Sequence, residues 1–180
     1  MKLSVKDISQ ISIFAALTAI GAFIRIPVPY VPITLQVFFV SLSGVLLGSK
    51  KGALSQLIYV LIGLIGFPVF TQGGGIAYIL KPTFGYLIGF IFGAYITGRI
   101  TERLKNRNVR TLFMSILAGL AVIYVIGVTY LYFINNYYIG KDFSVWFSIY
   151  YGFILCIGGD LICSYFASVL GYKLSKILIK

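Results

Sequence analysis

The sequence predicts an all-α integral membrane bundle of about six helices, forming a single domain over residues 1–180, and three observations predict it. Hydrophobic residues make up 59% of the chain, the mean hydropathy is +0.99, and only 11% of residues are charged, against about 25% in an average globular domain. Long apolar runs follow one another from Ile8 to the C-terminus, several of them reaching the roughly 20 residues of a helical bilayer crossing. The basic residues fall in the short polar breaks between the runs, not on one face of a soluble surface.

Taken in order, the expected spans are 8–25, 33–48, 52–67, 83–98, 111–134 and 148–172. Lys2 and Lys6 ahead of the first run imitate a secretory signal, but the later spans argue for an uncleaved first helix. Pro27, Pro29 and Pro32 deny the chain a helix after that run. Ser49-Lys50-Lys51-Gly52 reads as a tight polar turn between the second and third spans. The basic segment 99–110 separates the fourth from the fifth, and 135–142 separates the fifth from the sixth.

Charge then orients the bundle. On this layout Lys2, Lys6, Lys50, Lys51, Arg99, Arg103, Lys105, Arg107, Arg110, Lys173, Lys176 and Lys180 lie on one side, and only Arg25, Lys81 and Lys141 on the other. The rich side is expected to be cytoplasmic, with both termini there, in a multi-pass protein of the cell membrane. The cations then serve as anchors to membrane lipid headgroups, which leaves no reason to expect nucleic-acid binding.

One connection differs from the rest. Residues 67–82 are too apolar for an ordinary solvated loop and too rich in Gly and Pro for a helix, and such backbone at membrane depth must be buried or line a cavity. Gly73, Gly74 and Gly75 offer a flexible backbone whose N–H and C=O groups can face a small ligand. Of four acidic residues, Asp160 alone falls inside a span, where insertion costs about 2.5–3.5 kcal/mol. It must therefore face protein, water or a ligand, and at helical spacing it shares a face with Phe153, Cys156, Cys163, Ser164 and Ala167. Packing against another helix is the alternative. Arg25 and Lys81 stand where they can hold an anionic group at the outer mouth of such a pocket, or else anchor the interface. Thr34, Gln36 and Gln72 add polar groups to the same outer segments, together with Tyr30, Tyr78 and Tyr86, although aromatic belts account for many tyrosines.

Other chemistries find no residues to carry them. The chain has no histidine, no second intramembrane carboxylate for acid–base catalysis, and no G-x-x-x-x-G-K-[ST] phosphate loop. Catalysis, a metal site and a cofactor are not expected, and Cys156 and Cys163 read as buried free thiols. Active transport would draw on partner subunits or an ion gradient. Ala15 and Ala19, four residues apart with Ser12 and Ala22 extending the strip, allow another helix to come close, inside the bundle or from a partner.

Four stretches carry a resemblance: PVPYVPITLQ, GVLLGSKKGALSQLIYVLIGLIGFPVF, the Gly-rich loop leading into PTFGYLIGF, and GGD in the last span. Over nearly the whole chain they resemble the biotin-specific S components (BioY) of energy-coupling-factor transporters. The resemblance implies a six-helix S-component fold with an outward-facing biotin pocket. It also implies assembly with a transmembrane coupling subunit and two ABC-type ATPases, which hydrolyse the ATP. Ala15 and Ala19 stand at the family's A-x-x-x-A docking motif, Asp160 at the position contacting the biotin ureido group, and Gly73–Gly75 in the capping loop. The chain departs from the family pattern at Lys81 and Phe84, where Gly is common, and at Cys163, where Lys is common. That leaves the partner of the biotin carboxylate open between Lys81 and Arg25. An S component for another vitamin, or a small membrane scaffold or channel subunit, are the competing readings.

Overall fold

The computed structural model describes residues 3–178, so that Lys2 and Lys180, counted among the cations above, lie outside the described residues. Helix α1 (Val5–Phe23) begins in a capping box, in which the Ser4 hydroxyl accepts from the Asp7 amide and the Asp7 carboxylate accepts from the Ser4 amide. It ends where the prolines begin. Two-residue strands β1 (Arg25–Ile26) and β2 (Ile33–Thr34) pair antiparallel and bring the chain back to the start of α2 (Gln36–Ile65).

Helix α2 is not one rod. At Gly48 the backbone takes φ 79° and ψ −178°, a combination open to glycine and strained for other residues. Beyond it the chain doubles back: the Gln36 amide donates to the Tyr59 hydroxyl at 2.8 Å, although 23 residues of straight helix would separate them by about 34 Å. Gln56 likewise reaches Ser43, at 3.3 Å. The reversal therefore falls at Gly48, and Ser49–Gly52, expected as the turn, are already helical. The reason lies far away in sequence. The Glu102 carboxylate accepts from the Ser49 amide at 2.7 Å and from its hydroxyl at 3.0 Å, capping the returning helix.

Helix α3 (Phe84–Arg103) and helix α4 (Val109–Phe133, capped by Asn108) complete the centre of the bundle. A π-helical turn carries α4 on to Tyr138, past its expected end. Short helix α5 (Val145–Ile149) runs through a second π turn into α6 (Leu155–Leu178), which starts the last span earlier than expected. Among the described residues five helical stretches are long and apolar enough to cross a membrane, the second of them folded in two at Gly48.

The larger core packs Val40, Tyr59, Phe70, Tyr86, Phe90 and Tyr124; a smaller one joins Leu42, Val45, Leu112, Ile116 and Ala167. Large apolar side chains such as Ile13, Ile20, Phe92, Val125 and Phe166 stay exposed, as a lipid-facing surface requires. At one end of the bundle Lys51 pairs with Asp7 at 2.5 Å, Glu102 holds Ser49, and Leu104 and Tyr172 close the smaller core, so both described chain ends lie there. At the other end Arg25 donates to the Thr71 carbonyl, Tyr130 donates to the Ile79 carbonyl, and the Tyr30 and Phe143 rings meet at 4.9 Å.

Candidate functional site

A small cavity lies near the Gly-rich end of the bundle. Five regions build it. The chain around β2 contributes Val31, Pro32, Ile33, Thr34, Gln36 and Val37; the Gly-rich connection adds Thr71, Tyr78 and Thr83. Helix α3 gives Tyr86, Leu87 and Phe90, α4 gives Ile123 and Tyr124, and α6 gives Cys156 and Asp160.

Asp160 is the anchor of this space. It is 6% exposed, and its Oδ2 accepts from the Tyr124 hydroxyl at 2.5 Å, while its Oδ1 has no protein donor among the described residues. No Lys or Arg lines the cavity. A carboxylate with no cation beside it and one oxygen left open to the cavity is an acceptor matched by a ligand that brings N–H donors. The walls suit a compact, partly apolar guest: Phe90, Leu87, Ile123 and Val37 supply apolar contact.

The polar side chains are held in place by one another. Gln36 donates to Tyr59 and its Oε1 accepts from Thr34 at 3.1 Å, so both ends of its amide are fixed. Tyr86 donates to the Gly152 carbonyl at 2.7 Å, locking α3 to the turn ahead of α6. Tyr78 bridges Thr71 and Thr83, at 3.0 and 3.1 Å. This hydroxyl chain closes the cavity towards the Gly-rich end.

Of the residues singled out in the sequence, the cavity brings together Asp160, Thr34, Gln36, Tyr78 and Tyr86. Lys81 and Gln72 line a second, wider opening, so the two ends of the expected single pocket fall in different cavities. Arg25 ties β1 to the Gly-rich connection through the Thr71 carbonyl instead of facing Asp160. Gly73, Gly74 and Gly75 do not line the cavity and are not loose backbone. A bridge between Phe70 and Gly73, and the Gly75 amide donating to the Gly63 carbonyl at 2.7 Å, fix them as the turn that carries Tyr78 inward. Ala15 is buried in the bundle, yet Ser12, Ala15, Ala16 and Ala19 also form one wall of an apolar groove between α1 and the second half of α2. Cys156 is buried and lines the cavity, whereas Cys163 is only half-buried.

Sequence reasoning missed Tyr124, Thr71 and Thr83. Tyr124 did leave a signal. It sits near the middle of the expected span 111–134, too deep for an interfacial belt, and a phenol at that depth needs a polar partner.

Fold and site together define a multi-pass membrane protein with a small, partly polar cavity around a carboxylate that has no cation beside it among the described residues. The chain belongs to the BioY family, whose model matches residues 1–180. It is 44% identical over 175 residues to a probable biotin transporter BioY of Lysinibacillus sphaericus, covering 97% of this chain and 89% of that one. It is 39% identical over 176 residues to the biotin transporter BioY of Thermotoga maritima, covering 97% and 99%. Its fold is that of the crystallised S-component for biotin from an ECF-type ABC transporter, with a TM-score of 0.85, 29% identity, and coverage of 96% of this chain and 92% of that one.

Proposed function

We propose that this chain is the biotin-binding membrane subunit of an ECF-type, ATP-driven uptake transporter, and that it is not itself an enzyme. The observation that carries the reading is Asp160, with an unfilled Oδ1 in a cavity that no cation lines. The ureido ring of biotin presents two N–H donors to such an acceptor, and its bicycle matches the apolar character of the walls. The valerate tail then points to the layer of Thr71, Tyr78 and Thr83, whose hydroxyls can donate to its carboxylate. Thr34, Gln36 and Tyr86 hold the walls.

The chain crosses the membrane six times, counting the two limbs of α2, with both ends cytoplasmic and the cavity facing outside. The uneven distribution of cations supports this sidedness. A cysteine placed in segment 135–142 should then react with an impermeant thiol reagent from outside, and one in 99–110 should not. Energy comes from a transmembrane coupling subunit and two ATPases, the former docking at the groove of Ala15 and Ala19, where small side chains permit close helix approach. The protein needs no cofactor of its own. The test is a titration of the purified, detergent-solubilised chain against a panel of vitamins. Saturable binding of biotin alone is expected, and saturable binding of a different vitamin, or of none, would overturn the reading.

A further inference from the structure

The wider opening at the Gly-rich end has no role in the reading above. It is lined by Tyr30, Gln72, Lys81, Pro82, Asn135 and Lys141, with a few apolar neighbours, and it lies back to back with the Asp160 cavity. At four places consecutive residues divide between the two: Tyr30 and Val31, Thr71 and Gln72, Ala77 and Tyr78, Pro82 and Thr83. The same stretches of chain thus form the partition between the two.

The chemistry of the opening is specific. Among the described residues Lys81 and Lys141 have no acidic partner, and Asp142, the one acid close by in sequence, makes no ion pair. The Lys141 ammonium lies 5.9 Å from the centroid of the Tyr30 ring, and Tyr30 itself is held at a left-handed φ of 66°. Asn135 is 1% exposed; its Nδ2 donates to the Leu131 carbonyl at 2.8 Å, which leaves its Oδ1 as a buried acceptor with no partner. Two cations without acidic partners line the opening, and one of its wall residues carries an orphaned acceptor, a set matched by a ligand with both an anionic group and an N–H donor.

We infer that this opening is a second binding station, where Lys81 and Lys141 hold the carboxylate of the incoming ligand and Asn135 accepts one of its N–H groups before the ligand passes the partition to Asp160. The inference rests on the reading of the chain as a biotin-capturing subunit. Biotin has the required pair, a carboxylate at one end and ureido N–H groups at the other. A station outside the partition lies on the path both in and out, and because the bound ligand no longer touches it, its loss changes the two rates together and leaves the equilibrium affinity alone. Its two lysines also raise the local concentration of anions, an effect that salt screens.

The experiment measures association and dissociation rate constants of radiolabelled biotin on the purified protein by rapid filtration. Lys81→Ala/Lys141→Ala should slow association by about ten-fold at low salt, with dissociation slowed in proportion so that the equilibrium affinity stays within about two-fold of wild type, and the deficit should shrink as salt rises. Asn135→Ala should also slow association. The primary amide of biotin, having no carboxylate, should associate at the same rate with wild type and with the double lysine variant. Lys50→Ala/Lys105→Ala, which removes the same charge at the opposite end, is the control and should leave both rates alone. Unchanged association in the lysine variant would overturn the station, as would a ten-fold loss of equilibrium affinity, which would put the lysines on the bound ligand, or an equal slowing by the control. Failure of the underlying reading looks different: wild-type protein would then show no saturable biotin binding at all.

Discussion

The two ends of the bundle treat their carboxylates in opposite ways. At the end that gathers both described chain termini, Asp7 pairs with Lys51 and completes the α1 cap, while Glu102 accepts both the amide and the hydroxyl of Ser49. Each acid there is consumed by the fold. Near the Gly-rich end, Asp160 is far more buried, yet it receives one phenolic hydroxyl and no cation. A charge that serves the fold is paired on folding, and a charge left unfilled in a cavity is poised for something that arrives later.

Substitutions can break this contrast from either side. The largest effect is expected for Gly48→Ala, which imposes a side chain on a backbone conformation strained by about 1–3 kcal/mol for other residues and drives its Cβ into the Glu102 carboxylate. A drop in thermal midpoint with biotin affinity of the folded fraction preserved is expected, and loss of affinity at full stability would tie the hairpin to the site. Glu102→Ala should cost about 1–2 kcal/mol, because it uncaps Ser49 at a partly exposed position. Its readout is the unfolding midpoint, again without change in biotin affinity.

Tyr124→Phe should lower the stability of the ligand-free protein by about 1 kcal/mol, since Asp160 then loses its protein donor. Saturating biotin should restore more midpoint to this variant than to wild type. Asp7→Asn should have the smallest effect, a change in midpoint near the error of measurement, because the Lys51 pair lies at the bundle surface. A large loss from Asp7→Asn would mean that α1 depends on that pair and not on its buried face of Ile11, Ala15 and Thr18.

The same contrast explains what could be read before folding. Asp160 was legible because a lone carboxylate in an apolar run has few inexpensive positions, and the apolar runs themselves mark the long helices. The turn in α2 was legible as a break but was put at Ser49–Gly52, because the cap that makes Ser49 helical comes from Glu102, 53 residues away. Tyr124 was hidden among 14 tyrosines, most of which the interface could claim. The separation of Lys81 from Asp160 was not legible at all. It depends on the hydrogen-bonded layer of Thr71, Tyr78 and Thr83, and no local pattern in the chain shows that those three meet. Gly73–Gly75 misled for a related reason: Gly73 and Gly75 take the positive φ that glycine permits, but no local pattern shows that the Gly63 carbonyl pins Gly75.

The central claim is that Asp160 is unfilled for the sake of a ligand, and Asp160→Asn tests it most directly when stability and biotin affinity are measured on the same preparation. The substitution keeps shape, removes a buried charge that no cation balances, and turns donors towards the ureido donors. Charge-assisted bonds being worth about 1.5–3 kcal/mol each, biotin affinity should fall by a hundred-fold or more, about 3 kcal/mol, while the unfolding midpoint of the ligand-free protein stays level or rises. Biotin affinity equal to wild type, with a lowered midpoint, would make Asp160 another structural acid like Glu102 and contradict the account.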